Sequence, residues 1–439
     1  MNRKKIIQIL SAILLIAIIV LLYFAFIRKA PVPTTSSGAS GPTFGGSGSS
    51  GFTSNTPAKK VVGGASSTPS ESVIPRLRHL TDVPTSGDII LTKQADVIKD
   101  RVKVKETEYF VRYIDRATGH IFDIKTDSPA ALEISNTTIP KIYEAVFAPD
   151  GNSLIARLLS EANPDQILTY HIALKDKKLS ASATSSKQTV NDIGILSKAG
   201  LKDVSGTYLP PDIKEFSLSP SGAKALTLSY TSSGSKLVSS GPNGAGAKTV
   251  LTHPLREWLI SLISDSQAIV TTKPSGIANG YSYLLNLSTG SLKKIMGEIA
   301  GLTVLPNKDG NTYLGAGAPG GVIRTFVYFA KEDKRTILPF ATFPEKCVWS
   351  SVKFIAYCAV PEAIPESTYP DAWYQGRVSF TDSLWKINVS TGETNLISDL
   401  PKESGQKIDA VNLELAGDDS YLTFTNKIDL TLWGLKLSL

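Results

Sequence analysis

Residues 143–158, YEAVFAPDGNSLIARL, set the pattern of the chain. Apolar positions alternate with polar ones up to Val146 and Phe147, stop at Pro149, Asp150 and Gly151, and resume at Leu154, Ile155 and Leu158. This predicts a β-hairpin: proline presets φ, the Asp side chain closes the turn, and glycine tolerates φ > 0. One hairpin cannot bury its own apolar face in water. The unit returns at 215–230, EFSLSPSGAKALTLSY, and in degraded form at 260–272, 302–316, 347–358 and 413–425. A partial copy is predicted at 85–93, with its turn at Gly87.

A second unit follows: VRYIDRATGHIFDI at 111–124, YSYLLNLSTGSLKKI at 281–295, FVYFAKEDKRTIL at 326–338 and LWKINVSTGETNLIS at 384–398. Each predicts a strand, a turn and an outer strand. Thr118-Gly119, Thr289-Gly290 and Thr391-Gly392 are expected to occupy one equivalent place. Hairpin plus second unit give four strands, A to D, repeating every ~55 residues, a little above the ~40–50 of propeller blades. The fold class predicted is all-β: a β-propeller of about seven four-stranded blades. Ala148-Pro149-Asp150-Gly151 and Ser219-Pro220-Ser221-Gly222 resemble the turn signature of the TolB-type propeller repeat, a relative of WD repeats, over residues 76–439. The resemblance implies a fold and names no activity, because propellers host many functions.

Composition narrows the setting. The 439 residues carry a mild net charge of +7, scattered along the chain rather than gathered into a basic stripe, which argues against nucleic acid as a partner. With 4 His and 2 Cys there is little material for metal or acid–base chemistry, and no cofactor is expected.

The N-terminus is of another kind. From Ile6 to Ile27 the chain is apolar except at Gln8 and Ser11. As a helix it would rise about 33 Å, enough to cross a bilayer core of ~30 Å. A cleaved signal peptide would have a shorter apolar region and an A-x-A-like site. The reading is a transmembrane anchor over 1–29, N-terminus cytoplasmic, with Arg3, Lys4 and Lys5 before the span and Arg28 and Lys29 after it. Residues 30–75 are rich in Ser, Gly, Thr and Pro and read as a disordered linker reaching roughly 35–40 Å. The propeller, 76–439, is then extracytoplasmic. The piece from Ile74 to Thr81 looks like an outer strand, and the last repeat, LTLWGLKLSL at 430–439, is one strand short. The N-terminal piece is predicted to close the ring, which removes open sheet edges.

Several motifs have structural readings. Gly315, Gly317 and Gly320 spell G-x-G-x-x-G, but a strand pattern follows where a dinucleotide fold needs a helix. Asp150-Gly151-Asn152 and Asp309-Gly310-Asn311 are hairpin turns without the ligand spacing of a calcium loop. His79, His120, His171 and His253 are dispersed, and no G-x-S-x-G elbow appears. Cys347 and Cys358 sit on the two strands of one hairpin, either as a disulfide or as two buried thiols.

The most informative segment is 359–383, AVPEAIPESTYPDAWYQGRVSFTDS, an insertion between strands B and C of the sixth blade. It carries Tyr369, Trp373, Tyr374 and Arg377, residue types enriched at binding hot spots, among Glu362, Glu366, Asp371 and Asp382. Either these four contact a partner, or the insertion is a structural plug. The functional expectation is a membrane-tethered, non-catalytic scaffold for a protein or peptide. The runners-up are a propeller-based hydrolase or lyase and a glycan- or cell-wall-binding module.

Overall fold

The computed structural model describes residues 74–99, 102–163, 166–176 and 201–437, within one compact unit, Glu71–Leu439. The expected span at 6–27 and most of the linker lie outside the described residues. Among the described residues no helix is long and apolar enough to cross a membrane.

Seven four-stranded antiparallel sheets make seven blades. Blade 1 holds β2 (Thr85–Lys99), β3 (Val102–Asp115), β4 (Ile121–Lys125) and β5 (Ala131–Ser135). Blade 2 holds β6 (Ile142–Phe147), β7 (Ser153–Leu159), β8 (Ile167–Asp176) and β9 (Lys202–Tyr208). Blade 3 holds β10 (Ile213–Leu218), β11 (Ala225–Thr231), β12 (Gly234–Ser240) and β13 (Lys248–His253). Blade 4 holds β14 (Trp258–Leu262), β15 (Gln267–Thr272), β16 (Asn279–Asn286) and β17 (Leu292–Ala300). Blade 5 holds β18 (Thr303–Pro306), β19 (Thr312–Gly317), β20 (Arg324–Phe329) and β21 (Lys334–Ile337). Blade 6 holds β22 (Cys347–Trp349), β23 (Ile355–Pro361), β24 (Asp382–Asn388) and β25 (Glu393–Ser398). Blade 7 holds β26 (Ala410–Leu415), β27 (Tyr421–Asn426), β28 (Leu432–Lys436) and, as its outer strand, β1 (Leu77–His79).

The A strands of neighbouring blades lie beside one another, β2 with β6, β10 with β14, β22 with β26 and β26 with β2, so they ring a central channel. Burial follows radius. The B strands are covered on both faces by adjacent blades: β19 and β27 are buried along their whole length. The D strands face outward, and β21 is exposed throughout. Some B strands read as near-continuous apolar runs, as strands buried on both faces do, for example IAYCAVP of β23, whereas β27, YLTFTN, buries threonines and an asparagine.

Closure is made by the N-terminal piece. Leu77 pairs with Leu435, Arg78 with Gly434 and His79 with Trp433, where the two rings stack at 4.6 Å. Lys436 N donates to Arg76 O and Leu80 N to Leu432 O, extending the ladder at both ends.

Two expectations are corrected. Gly87 is not a turn: it lies inside β2, which pairs with β3 from Thr85–Asp115 out to Lys99–Val102. A Cβ on Gly87 would stand 2.0 Å from the Ala145 carbonyl oxygen of the next blade, so the glycine serves a close approach. Thr118-Gly119 joins strands B and C of blade 1, whereas Thr289-Gly290 and Thr391-Gly392 join C to D in blades 4 and 6. The three turns therefore sit at opposite ends of the strands.

Candidate functional site

The insertion leaves blade 6 at the end of β23 and returns at β24. It carries a short helix, α1 (Asp371–Tyr374), after a cis Tyr369–Pro370 bond. It reaches across to blade 4, where the Asp371 carboxylate accepts from Ser275 Oγ at 3.0 Å and Gly276 N at 2.7 Å. It also packs on Ala316, Ala318 and Ile323 of blade 5.

Three of its four aromatic residues point inward. Tyr369, Trp373 and Phe380 are buried with Phe343 in one apolar cluster. The Trp373 ring stacks on Phe343 at 5.1 Å and on Phe380 at 6.1 Å. Tyr369 Oη donates to Pro365 O at 2.6 Å, folding the insertion on itself.

Beneath the indole lies a charged centre. Lys346 Nζ donates to Asp382 Oδ2 at 2.7 Å, Asp409 Oδ1 at 2.5 Å and Ala410 O at 2.9 Å, and all three charged side chains are fully buried. Asp409 also accepts from the Trp373 indole and from Phe380 N, both at 3.0 Å, so it holds the insertion by side chain and backbone. Asp382 Oδ2 accepts from Ala410 N, while Oδ1 has no partner. Burial pushes the Asp382 carboxyl up to about 6, with Lys346 pulling against it.

Of the four expected contact residues, two lie inside and two reach solvent. Tyr369 and Trp373, the latter 2 % exposed, offer no surface to a partner. Tyr374 is 39 % exposed and its hydroxyl donates to Glu345. Arg377 is exposed, its Nε donating to Gln375 Oε1 at 2.8 Å. The four do not form one face. Cys347 and Cys358 are opposite each other on β22 and β23 and are joined as a disulfide at the base of this region.

Capping creates a cleft. Between residues 364–368 and the B–C loops of blades 4 and 5 lies a cavity of about 890 Å³. Ile277, 88 % exposed, and Val322, 56 % exposed, stand in its walls with Ile323, Ala341, Ile364 and Pro365; Glu366 is its one charged residue. Sequence reading missed it because its walls come from three blades. The only local signal was an isoleucine in the glycine-bearing stretch Gly276-Ile277-Ala278-Asn279-Gly280.

Acidic groups on the A strands form a second feature. Burial raises Asp88 to about 7, although Thr423 Oγ1 donates to it at 2.6 Å. Glu414 reaches solvent at the channel, yet the crowding of the A strands around it, and then the Asp88 charge, raise it to about 8. Burial raises Glu215 to about 7. Among the described residues no three His, Cys, Asp or Glu side chains are grouped to hold a metal ion.

No protein-family model and no curated protein matches the sequence. Similar folds occur among solved structures. An oligogalacturonate lyase in complex with manganese shares 8 % identity over 81 % of this chain and 99 % of its own, with a TM-score of 0.49. TolB from Acinetobacter baumannii shares 11 % over 70 % of this chain and 79 % of its own, at 0.40. Kuenenia stuttgartiensis hydrazine synthase shares 10 % over 74 % and 92 %, at 0.45. At such values these likenesses carry no argument about ligand or activity. The seven-bladed propeller is read from its own sheets.

Proposed function

We propose that this chain is a non-catalytic scaffold whose propeller binds an extended peptide segment of another protein in the cleft walled by the insertion. The observation that carries the reading is the cleft itself: an open cavity of about 890 Å³ with Ile277 and Val322 held out to solvent on its walls. Exposed apolar walls in a concavity are how soluble domains mark interaction sites. The insertion then acts as a rigid wall, and its Tyr369 and Trp373 serve its own packing.

The membrane tether through residues 6–27 and the extracytoplasmic location belong to the same proposal. The Cys347–Cys358 disulfide supports them, since such bonds persist in oxidising compartments.

The test is a peptide array probed with the full-length protein. Ile277→Asp and Val322→Asp, both on exposed loops, should abolish capture of the peptides that bind while leaving the melting temperature unchanged. Peptide capture indifferent to both substitutions would place the ligand elsewhere.

A second reading, a hydrolase or lyase working in the channel, draws on the raised carboxyls of Asp88, Glu215 and Glu414, since carboxyls titrating near neutrality suit acid–base work. Turnover of a peptide or glycan substrate, lost in Glu215→Gln, would favour it.

A further inference from the structure

Two arginines stand apart. Every other described arginine donates a hydrogen bond to a carbonyl, carboxylate or amide oxygen. The side chains of Arg324 and Arg335 make no hydrogen bond or ion pair with any described residue, and both are exposed. They line the same groove, a cavity of about 250 Å³ between blades 4 and 5. The B–C loop of blade 5 separates it from the cleft discussed above: Gly317, Pro319 and Arg324 face this groove, and residues 320–323 face the other.

Strand register fixes where the two arginines leave the sheet. Phe326 on β20 is paired with Ile337 on β21. Arg324 precedes Phe326 by two residues and Arg335 precedes Ile337 by two, so all four side chains share one sheet face. Because the strands are antiparallel, the arginines lie at opposite ends of the Phe326–Ile337 pair. Their backbones are about four residues apart along the strand direction, roughly 13 Å. The Arg335 guanidinium rests over the Phe326 ring at 5.5 Å, which holds it at the groove. The facing wall is Glu298, Ile299 and Ala300 of β17. Glu298 is the one acid of the lining, and its carboxylate is 3.5 Å from Lys294 Nζ.

The groove thus carries Ile299 and Ile337 in its walls, with one arginine rooted on either side of the Phe326–Ile337 pair and the Arg335 head drawn in over Phe326. In an extended peptide, residues i, i+2 and i+4 point to one side, with i and i+4 about 13 Å apart. We propose that this groove is a second, separate ligand site, for an extended acidic segment of the pattern acid-x-apolar-x-acid. The two carboxylates meet Arg324 and Arg335, and the apolar side chain lies on Ile299 and Ile337, since Phe326 is buried beneath Arg335. Guanidinium forks pair bidentately with carboxylates, which sets the ends of the segment. The site does not depend on the peptide-binding reading of the larger cleft.

Fluorescence anisotropy of a labelled peptide ESLSE with the full-length protein, at near-physiological salt, tests it. ESLSE should bind, KSLSK should not, and a peptide with serine at the centre should bind about fivefold more weakly. Arg324→Ala and Arg335→Ala should each weaken ESLSE binding about tenfold without moving the melting temperature, since neither side chain holds the fold. Lys331→Ala and Lys334→Ala, nearby but outside the lining, control for the general positive charge and should change affinity less than twofold. Failure of ESLSE to bind, indifference to the arginine substitutions, or equal losses from the lysine substitutions would each overturn the proposal. Loss of array peptides from the larger cleft in Ile277→Asp, with ESLSE binding retained, would show the two sites to be distinct.

Discussion

The Trp373 indole donates to the Asp409 carboxylate at 3.0 Å, and neither side chain meets solvent. Trp373 belongs to the insertion of blade 6, and Asp409 stands just before the inner strand of blade 7. This bond ties the insertion to a neighbouring blade, and Lys346 beneath it supplies the countercharge. The insertion is therefore part of the propeller's core on this side.

Lys346 balances two buried carboxylates, so its loss should be felt strongly. Lys346→Met keeps much of the volume and leaves Asp382 and Asp409 without a cation. A loss of about 3–5 kcal/mol is expected, the usual cost of breaking a buried ionic cluster from one side. Urea unfolding measures it; a loss below about 1 kcal/mol would mean that the cluster does not hold this region.

The pH dependence has a definite sign. The Asp382 carboxyl is raised to about 6 in the folded chain from an ordinary value near 3.8. The folded state keeps this proton to higher pH than the unfolded state does. Its contribution therefore favours folding most below about pH 4 and is lost as pH rises to about 6. Asp382→Asn removes the titration. Between pH 4 and pH 7 the stability of this variant relative to wild type should shift in its favour, by on the order of 2–3 kcal/mol. Parallel stability–pH curves for the two proteins would contradict the assignment.

Closure of the ring rests on a three-residue strand and one stacked pair, His79 on Trp433. A chain beginning at Thr81 lacks β1, leaves the edge of β28 open and uncovers Trp433. It should lose several kcal/mol, from the ladder bonds and the apolar cover together. Thermal unfolding unchanged by this truncation would mean that β1 contributes nothing to stability.

The disulfide closes a short loop, with a sequence separation of 11. Replacing both cysteines by serine should cost about 2–3 kcal/mol, chiefly by freeing the unfolded chain. Unfolding of the wild-type protein with and without reductant should show the same difference.

Much of the fold was legible because its signals are local. Pro-Asp-Gly at 149–151 demands a turn wherever it stands, and Gly151 takes φ 66° there. Asp419 holds the corresponding place in blade 7 at φ 59°, which is why the repeat survives without glycine. Gly87 misled because a glycine for close approach and a glycine for a turn look alike in sequence. The charged centre was not legible at all. Lys346 and Asp409 are 63 residues apart and meet only because two blades are neighbours. Trp373 was legible as important and ambiguous as to why: an indole suits a hot spot and a core equally.

The central claim is that the insertion is a structural wall and the ligand lies in the cleft beside it. Unfolding free energy and peptide affinity per folded molecule, measured together on Trp373→Ala and Ile277→Asp, test it most directly. Trp373→Ala should lose about 3–5 kcal/mol of stability through a core cavity and keep its affinity per folded molecule. Ile277→Asp should keep its stability and lose at least about tenfold in affinity. The reverse assignment of the two losses, with Trp373→Ala stable but unable to bind, would show the insertion to be the contact surface and contradict the account.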